Sequence, residues 1–257
     1  MEKLTALYRN KNIRTVAVVI LTVFAAVSLV QGCRNAVRSS QDFQWDAAKA
    51  LTLRIDPYDE SLSPSGILDK YGFETYYLQM EANQFPSLLM LLIPYTFMPP
   101  LAARYAWLIS NLVFTGLIIV LLRKTFLKDA DGFDFTILVL LMISGTPYRN
   151  QLGVGQHTLF AFCFFLLAVY LSEYAPFLEK EGKRGISRTV LTALCLFVSF
   201  FKYTLTAPLT LYFVYKRRWA DIMAALMAHL ALTGACAACV EADERVFSQE
   251  MGYRQHC

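Results

Sequence analysis

Charge is what this sequence has least of. Aspartate, glutamate, lysine and arginine make up 17% of its 257 residues, where a soluble domain carries roughly 25%. Apolar side chains take their place, at 56% of the chain with a mean hydropathy of +0.41. They are gathered into runs near membrane-crossing length, which excludes an ordinary soluble domain. The formal net charge is only +4, and no basic stretch is interleaved with aromatics as a single-stranded nucleic-acid surface requires. No nucleic-acid partner is expected. Six cysteines are present, three of them inside apolar runs, where they act as small hydrophobes. Cys236 and Cys239 form a C-x-x-C with no second pair and no histidine set beside it, so they read as small helix residues and not as a metal site.

What is present is a series of apolar runs flanked by basic residues. Arg9, Lys11 and Arg14 precede the run 15–30 and place the N-terminus in the cytoplasm. VQGC at 30–33 faintly resembles a lipoprotein cleavage box, but the rest of the chain is itself membranous, and an uncleaved anchor is the expectation. Residues 33–84 hold eight acids and five bases and belong outside. Within them Asp42 is placed to cap a short helix running to about Leu53. Phe43, Ala47, Ala50 and Leu51 then share a face suited to the membrane surface, while Asp46 pairs with Lys49 on another. Pro57 ends that helix. The proline-broken stretch 85–100 cannot span comfortably and is expected to dip into the outer leaflet or to form a short span, the basic end of 104–122 favouring the dip.

Residues 104–122 cross back to Arg123, Lys124 and Lys128, 135–146 return outward, and 146–157 form a polar loop. Residues 158–171 cross again to the basic loop 172–188. The apolar stretch 189–215 has a basic flank at both ends and Lys202 in its middle. A hairpin of two short helices puts both flanks on one side and lets Lys202 reach water. A last span covers about 221–240, so the expected organisation is one transmembrane domain, 1–240, and a polar tail, 241–257.

This topology gathers Asp42, Asp46, Asp56, Arg149, Gln156, His157 and Lys202 on the outer side. A carboxylate there can take a proton from a hydroxyl, and a lysine at the interface can hold a lipid phosphate. Cap, ion-pair, turn and loop roles compete for most of these residues, but a lysine amid apolar neighbours needs a partner or a route to water.

Four segments also resemble a known family. DFQWDAAKALTLRIDPY at 42–58, QFPSLLMLLIPYTFMPPLAARYAWLISN at 84–111, GQHTLFAFCFFLLAVYL at 155–171 and FFKYTLTAPLTLYFVYKRRW at 200–219 follow the order of motifs in glycosyltransferase family 87. The departures are Phe85-Pro86-Ser87, in place of a proline pair, and Lys202-Tyr203, in place of lysine-proline. The resemblance implies an all-α, GT-C-like membrane bundle that moves a mannose-like sugar from a polyprenyl-phosphate donor to an acceptor glycan or lipid. It implies Asp42 as catalytic base, with Lys202 and Gln156 lining the donor site. Arg149, His157 and Asp46 are further candidate substrate-binding residues. No cofactor beyond the lipid-phosphate sugar is expected, and nothing in the sequence demands a metal.

Members of the family usually carry several more spans, so a truncated relative or a protein partner supplying the missing helices is part of the same expectation. The competing readings are a non-catalytic shortened paralogue in a multi-pass cell-envelope system and a small transporter. The transporter ranks last, because the chain has no matching half-repeats.

The topology is checked with Ser65→Cys and Lys180→Cys in intact cells. A membrane-impermeant thiol reagent should label position 65 and leave position 180 unmodified; the opposite pattern inverts the topology.

Overall fold

The computed structural model describes residues 10–62, 86–175, 179–180 and 183–254. It is almost wholly helical. The elements are α1 (Lys11–Arg38), α2 (Trp45–Thr52), α3 (Pro57–Leu62), α4 (Pro86–Leu92) continued by a 3-10 turn (Ile93–Phe97), α5 (Pro100–Lys124), α6 (Gly132–Ser144), α7 (Thr146–Val154) and α8 (Thr158–Glu173). A two-residue antiparallel ladder follows, β1 (Glu179–Lys180) with β2 (Lys183–Arg184). The chain ends in α9 (Ile186–Ser199), a 3-10 turn (Phe200–Lys202), α10 (Tyr203–Tyr215) and α11 (Trp219–Arg254). Helix α11 therefore continues beyond residue 240 into the stretch expected to be a tail.

By length and composition, α1, α5, the continuous run Ile186–Tyr215 and Trp219–Ala238 are each able to cross a membrane. Val19, Val23 and Phe24 of α1, Val113 and Leu117 of α5, and Met227 and Leu230 of α11 are exposed. In water such a surface would be an aggregation hazard; on helices of this length it is the lipid-facing belt. The chain is an all-α, multi-span membrane protein.

Side-chain contacts fix the path of the chain between two ends of the bundle. At one end Arg14 of α1 pairs with Asp131 before α6 at 2.9 Å. Further along, Arg149 of α7 donates to Gln31 of α1 at 2.8 Å. Helices α6 and α7 thus run alongside α1 in the same direction. Helix α5 opposes them: Arg104 near its start donates to the Arg38 carbonyl at the far end of α1.

The same reasoning settles the run Ile186–Tyr215. At its start Arg188 donates Nε to the Leu171 carbonyl at 2.7 Å. Just past its end Lys216 pairs with Glu173 at 3.2 Å, and Arg218 reaches Glu173 at 3.1 Å and the Ser172 carbonyl at 3.2 Å. A straight 30-residue helix would separate these ends by roughly 45 Å. Both sit instead at the last turn of α8, so the chain turns back at Phe200–Lys202. This is the expected hairpin, with Arg188, Lys216, Arg217 and Arg218 at one end and Lys202 at the tip.

The stretch 146–157 departs from expectation. Thr146–Val154 is a helix and not an irregular loop. Pro147 occupies its first turn, where the missing N–H costs nothing, and the helix buries Tyr148 and Leu152 against α1. Close approach is possible because α1 offers Gly32 and α7 offers Gly153: a Cβ on the first would lie 3.1 Å from Leu152, and on the second 3.0 Å from Asn35. The chain then bends by 108° into α8. Pro86–Phe97 is apolar but shorter than the helices able to cross a membrane alone. Residues 63–85, which carry the second part of the first loop, lie outside the described residues, as do 1–9 and 255–257.

The α7–α8 bend depends on Gly155, which sits at φ +73° with Ser40 Oγ and Phe43 Cβ against the space a side chain would need. Gly155→Ala carries a left-handed penalty of about 1–2 kcal/mol and must also displace Ser40. It should lower the melting temperature in detergent clearly. Gly116→Ala, at a helix position with open space around it, should not; equal behaviour of the two variants would refute the role of the bend.

Candidate functional site

The segment 40–52 is folded onto the bundle end that carries Lys202. The Asp42 N–H donates to the Val154 carbonyl at 2.7 Å, and Phe43 N–H to the Ser40 carbonyl at 3.0 Å. Gln44 then adopts φ +62°, a left-handed conformation that a non-glycine residue holds only where its surroundings impose it. This reversal separates Phe43 and Trp45, and both are buried. Phe43 stacks on Trp107 of α5 with ring centres 5.3 Å apart and planes within 13°. Trp45 donates its indole N–H to the Tyr95 carbonyl at 3.0 Å.

Trp107 is the centre of the arrangement. Its indole N–H donates to the Gly155 carbonyl at 2.8 Å, and its ring lies 5.1 Å from that of His157 and 6.2 Å from Phe160. Sequence reasoning noted this tryptophan only as part of a motif. The signal for its role is its place in ARYAW, one turn inside the start of a span, where an indole has an apolar body to bury and a polar edge to satisfy.

Two expectations for the acidic residues are corrected here. Asp42 is not the cap of α2: that helix starts at Trp45, its cap position is Gln44, and no side chain caps it. Nor is α2 a surface helix with Asp46 paired to Lys49. Asp46 is 1% exposed, and Lys49 turns away to the Thr96 carbonyl at 3.4 Å. The reason is the αL residue at 44, which rotates α2 so that Trp45, Asp46, Ala47 and Ala48 all face protein. Both Asp46 oxygens are without a hydrogen-bond partner. Burial pushes its carboxyl up to about 7, against the pull of the Arg104 charge. Asp56 accepts from the N–H groups of Tyr58 and Asp59 at 2.8 and 3.3 Å, as the cap of α3.

His157 and Lys202 do come together. His157, at the bend ahead of α8, is 1% exposed, and neither ring nitrogen has a hydrogen-bond partner. Burial, then the Lys202 charge, push its imidazole down to about 3, so the ring is neutral at physiological pH. Lys202 is half-buried at the hairpin tip and makes no ion pair among the described residues. Asp42, 8% exposed, is one residue from Phe43 at the rim of the same cluster. Gln156 adjoins it, its side-chain oxygen accepting from Thr158 at 3.4 Å. Arg149 does not join: its guanidinium is engaged by Gln31 on α1.

Beside this polar cluster lies an apolar cavity of about 440 Å³. Its walls include Leu91, Leu92, Tyr95, Met98, Trp107 and Phe160. Trp107 is the shared wall between the cavity and His157. Among the described residues no three or more histidine, cysteine, aspartate or glutamate side chains converge on a metal position.

The model of glycosyltransferase family 87 matches residues 86–254. The chain belongs to glycosyltransferase family 87. It is accordingly a membrane glycosyltransferase by family, and Arg149, Gln156, His157 and Lys202 fall inside the matched region, whereas Asp42 and Asp46 precede it. No curated protein and no solved structure matches the chain.

Asp46 provides a pH test of the site. Its folded pKa, about 7, lies above the ordinary 3.8, so the unfolded chain releases this proton more readily. The wild-type fold therefore loses stability as pH rises from about 4 through 7. Asp46→Asn removes that loss. The melting temperature of the variant relative to wild type should be higher at pH 8 than at pH 5. A constant difference would show that the Asp46 carboxyl is not held in a desolvated position.

Proposed function

We propose that this family 87 protein transfers a mannose-like sugar from a polyprenyl-phosphate donor to an acceptor hydroxyl at the outer face of the cell membrane. The observation that supports the reading is His157 beside Lys202 at one end of the bundle, with Asp42 next in sequence to Phe43 of the same aromatic cluster and an apolar cavity sharing the Trp107 wall with His157. A donor with a charged headgroup and a hydrocarbon tail needs that pairing of surfaces. The other end carries Arg14, Arg123, Lys124, Arg188, Lys216 and Arg218 beside the apolar helices, and such clusters favour the cytoplasm. The N-terminus is then cytoplasmic and the site outside, where lipid-linked sugars replace nucleotide sugars.

In this reading Asp42 takes the proton of the acceptor hydroxyl as its oxygen attacks the anomeric carbon. The bond from that carbon to the donor phosphate breaks, and the polyprenyl phosphate leaves with the electron pair. Lys202 steadies the charge that develops on the phosphate. Among the described residues it makes no ion pair, which leaves it available for this. His157, neutral and close to the Phe43 backbone, is placed to hydrogen-bond the phosphate or the sugar. Gln156 stands beside it as a further polar contact. Arg149, held by Gln31, serves the bundle and not the donor.

Asp42→Asn is the sharpest test. The contact Asp42 makes with α7 runs through its backbone N–H, so the fold should survive the change. Sugar transfer from a polyprenyl-phosphate donor should fall by roughly two to four orders of magnitude. Lys202→Gln should mainly raise the donor KM. Unchanged transfer in Asp42→Asn removes Asp42 from the chemistry. A folded wild-type chain inactive with every polyprenyl donor leaves the non-catalytic subunit reading in its place.

A further inference from the structure

The two ends of helix α1 differ. Val16, Val19, Val23, Val27 and Val30 are exposed, and the helical repeat puts them on one face. Arg34 and Arg38, both exposed, continue that same face to the end of the helix. From Val16 to Arg34 the helix rises roughly 27 Å, close to the thickness of a bilayer's hydrocarbon. At one end of the valine stripe Arg14 is paired with Asp131 at 2.9 Å. At the other, Arg34 and Arg38 make no ion pair among the described residues.

Two more cations flank this second end. Arg104 of α5 donates to the Arg38 carbonyl at 3.2 Å. Arg149 of α7 donates to Gln31, one turn before Arg34, at 2.8 Å. Helices α1, α5 and α7 contain no aspartate or glutamate. Asp42 and Asp46, the next acids along the chain, are buried, and of the four arginines only Arg104 acts on the Asp46 carboxyl. Gln31 and Arg38 lie roughly 10 Å apart along α1, within about one Debye length. Four guanidinium groups on three helices therefore repel one another at this rim, and a counter-charge from outside the chain relieves that repulsion.

We propose that the rim binds the headgroup of an anionic phospholipid from the surrounding bilayer, with Arg34 and Arg38 as principal contacts and Arg104 and Arg149 as flanking charges. Three features select that ligand. The guanidinium fork matches two phosphate oxygens at once. A zwitterionic headgroup brings its own ammonium among the cations and is rejected. The valine stripe runs straight into Arg34, so it seats acyl chains directly beneath the headgroup, a surface that a soluble phosphate cannot use. The site does not use Asp42, His157 or Lys202 and does not rest on the transferase reading. A bound lipid ties the end of α1 to α5 and α7 by cancelling their mutual repulsion.

The test is the melting temperature of the full chain in nanodiscs, which needs no turnover. Replacing part of the phosphatidylcholine with phosphatidylglycerol should raise it by about 3 °C or more, the shift expected with the lipid at about ten times its dissociation constant. Arg34→Gln with Arg38→Gln should lose most of that gain. Both side chains are exposed, and the Arg38 contact with Arg104 runs through the Arg38 carbonyl, so the fold should survive. Arg34→Gln alone should lose about half of the gain and decides the matter if the double variant does not fold. Lys11→Gln with Lys128→Gln, two exposed lysines at the opposite end of the bundle, should keep the whole gain.

No gain in the wild type, or an equal gain in the wild type and in Arg34→Gln with Arg38→Gln, overturns the site. A greater loss in the lysine pair than in the arginine pair overturns it too, by moving the lipid to the other end. Inorganic phosphate added to phosphatidylcholine nanodiscs should give no shift. An equal shift from phosphate makes this a soluble-anion site and refutes the lipid.

Discussion

The hydrogen bond from the Trp107 indole to the Gly155 carbonyl holds this end of the molecule together. It joins the start of α5 to the bend between α7 and α8, two elements that the chain itself separates by 48 residues. Everything polar at the site is placed through it. Phe43 lies flat on one face of the indole and fixes where Asp42 emerges. His157 packs against the same ring and fixes where α8 begins. Tyr95 meets both Phe43 and Trp107 edge-on, at 5.7 and 5.5 Å, and brings the short α4 segment into the wall. Among lipid-facing helices the hydrophobic effect gives little reason for one helix to choose another. Such a cluster, pinned by the indole hydrogen bonds and close-packed in its rings, is what gives the bundle end a defined shape.

Two chemistries meet on opposite sides of that tryptophan. One side is apolar cavity; the other holds a neutral imidazole next to a lysine that makes no ion pair among the described residues. An unpaired ammonium near the membrane is expensive to keep, and hydrophobic packing would be more stable in its place. In the proposed transferase reading, the stability lost at these positions is used to bind groups that arrive from outside the chain.

Much of the architecture was readable from charge placement. The basic flanks around 189–215 required a hairpin, and the return of both flanks to the last turn of α8 shows it, because the cost of stranding cations on the wrong side is a property of composition. The family was legible as well, through the ordered motifs from 84 to 219 that its match over 86–254 supports. What could not be read was the effect of single backbone dihedrals. Gln44 in the left-handed region turns α2 over, and that one rotation buries Asp46, frees Lys49 and removes Asp42 from the cap. No periodicity forecasts it, since glutamine rarely adopts that conformation. The helix at 146–154 was hidden for a related reason: its glycines and polar residues look like a loop, and only the matching gap at Gly32 explains why the stretch is ordered. Arg104 was invisible because a cation at the edge of an apolar run resembles an ordinary flank.

The hairpin also has a meaning for how the protein is made. Helices α9 and α10 have 14 and 13 residues, each short of the roughly 20 that a lone span needs. Neither is a good stop signal for an insertion machine reading one segment at a time. The pair, however, begins and ends on the same side and can enter the bilayer as one looped unit. Its only serious obstacle is the ammonium of Lys202, which has to be carried through the hydrocarbon to the far surface. Lys202 is therefore the residue of the hairpin that most burdens biogenesis, and the 3-10 turn at Phe200–Lys202 brings that cation out at the leading tip, where it meets water first.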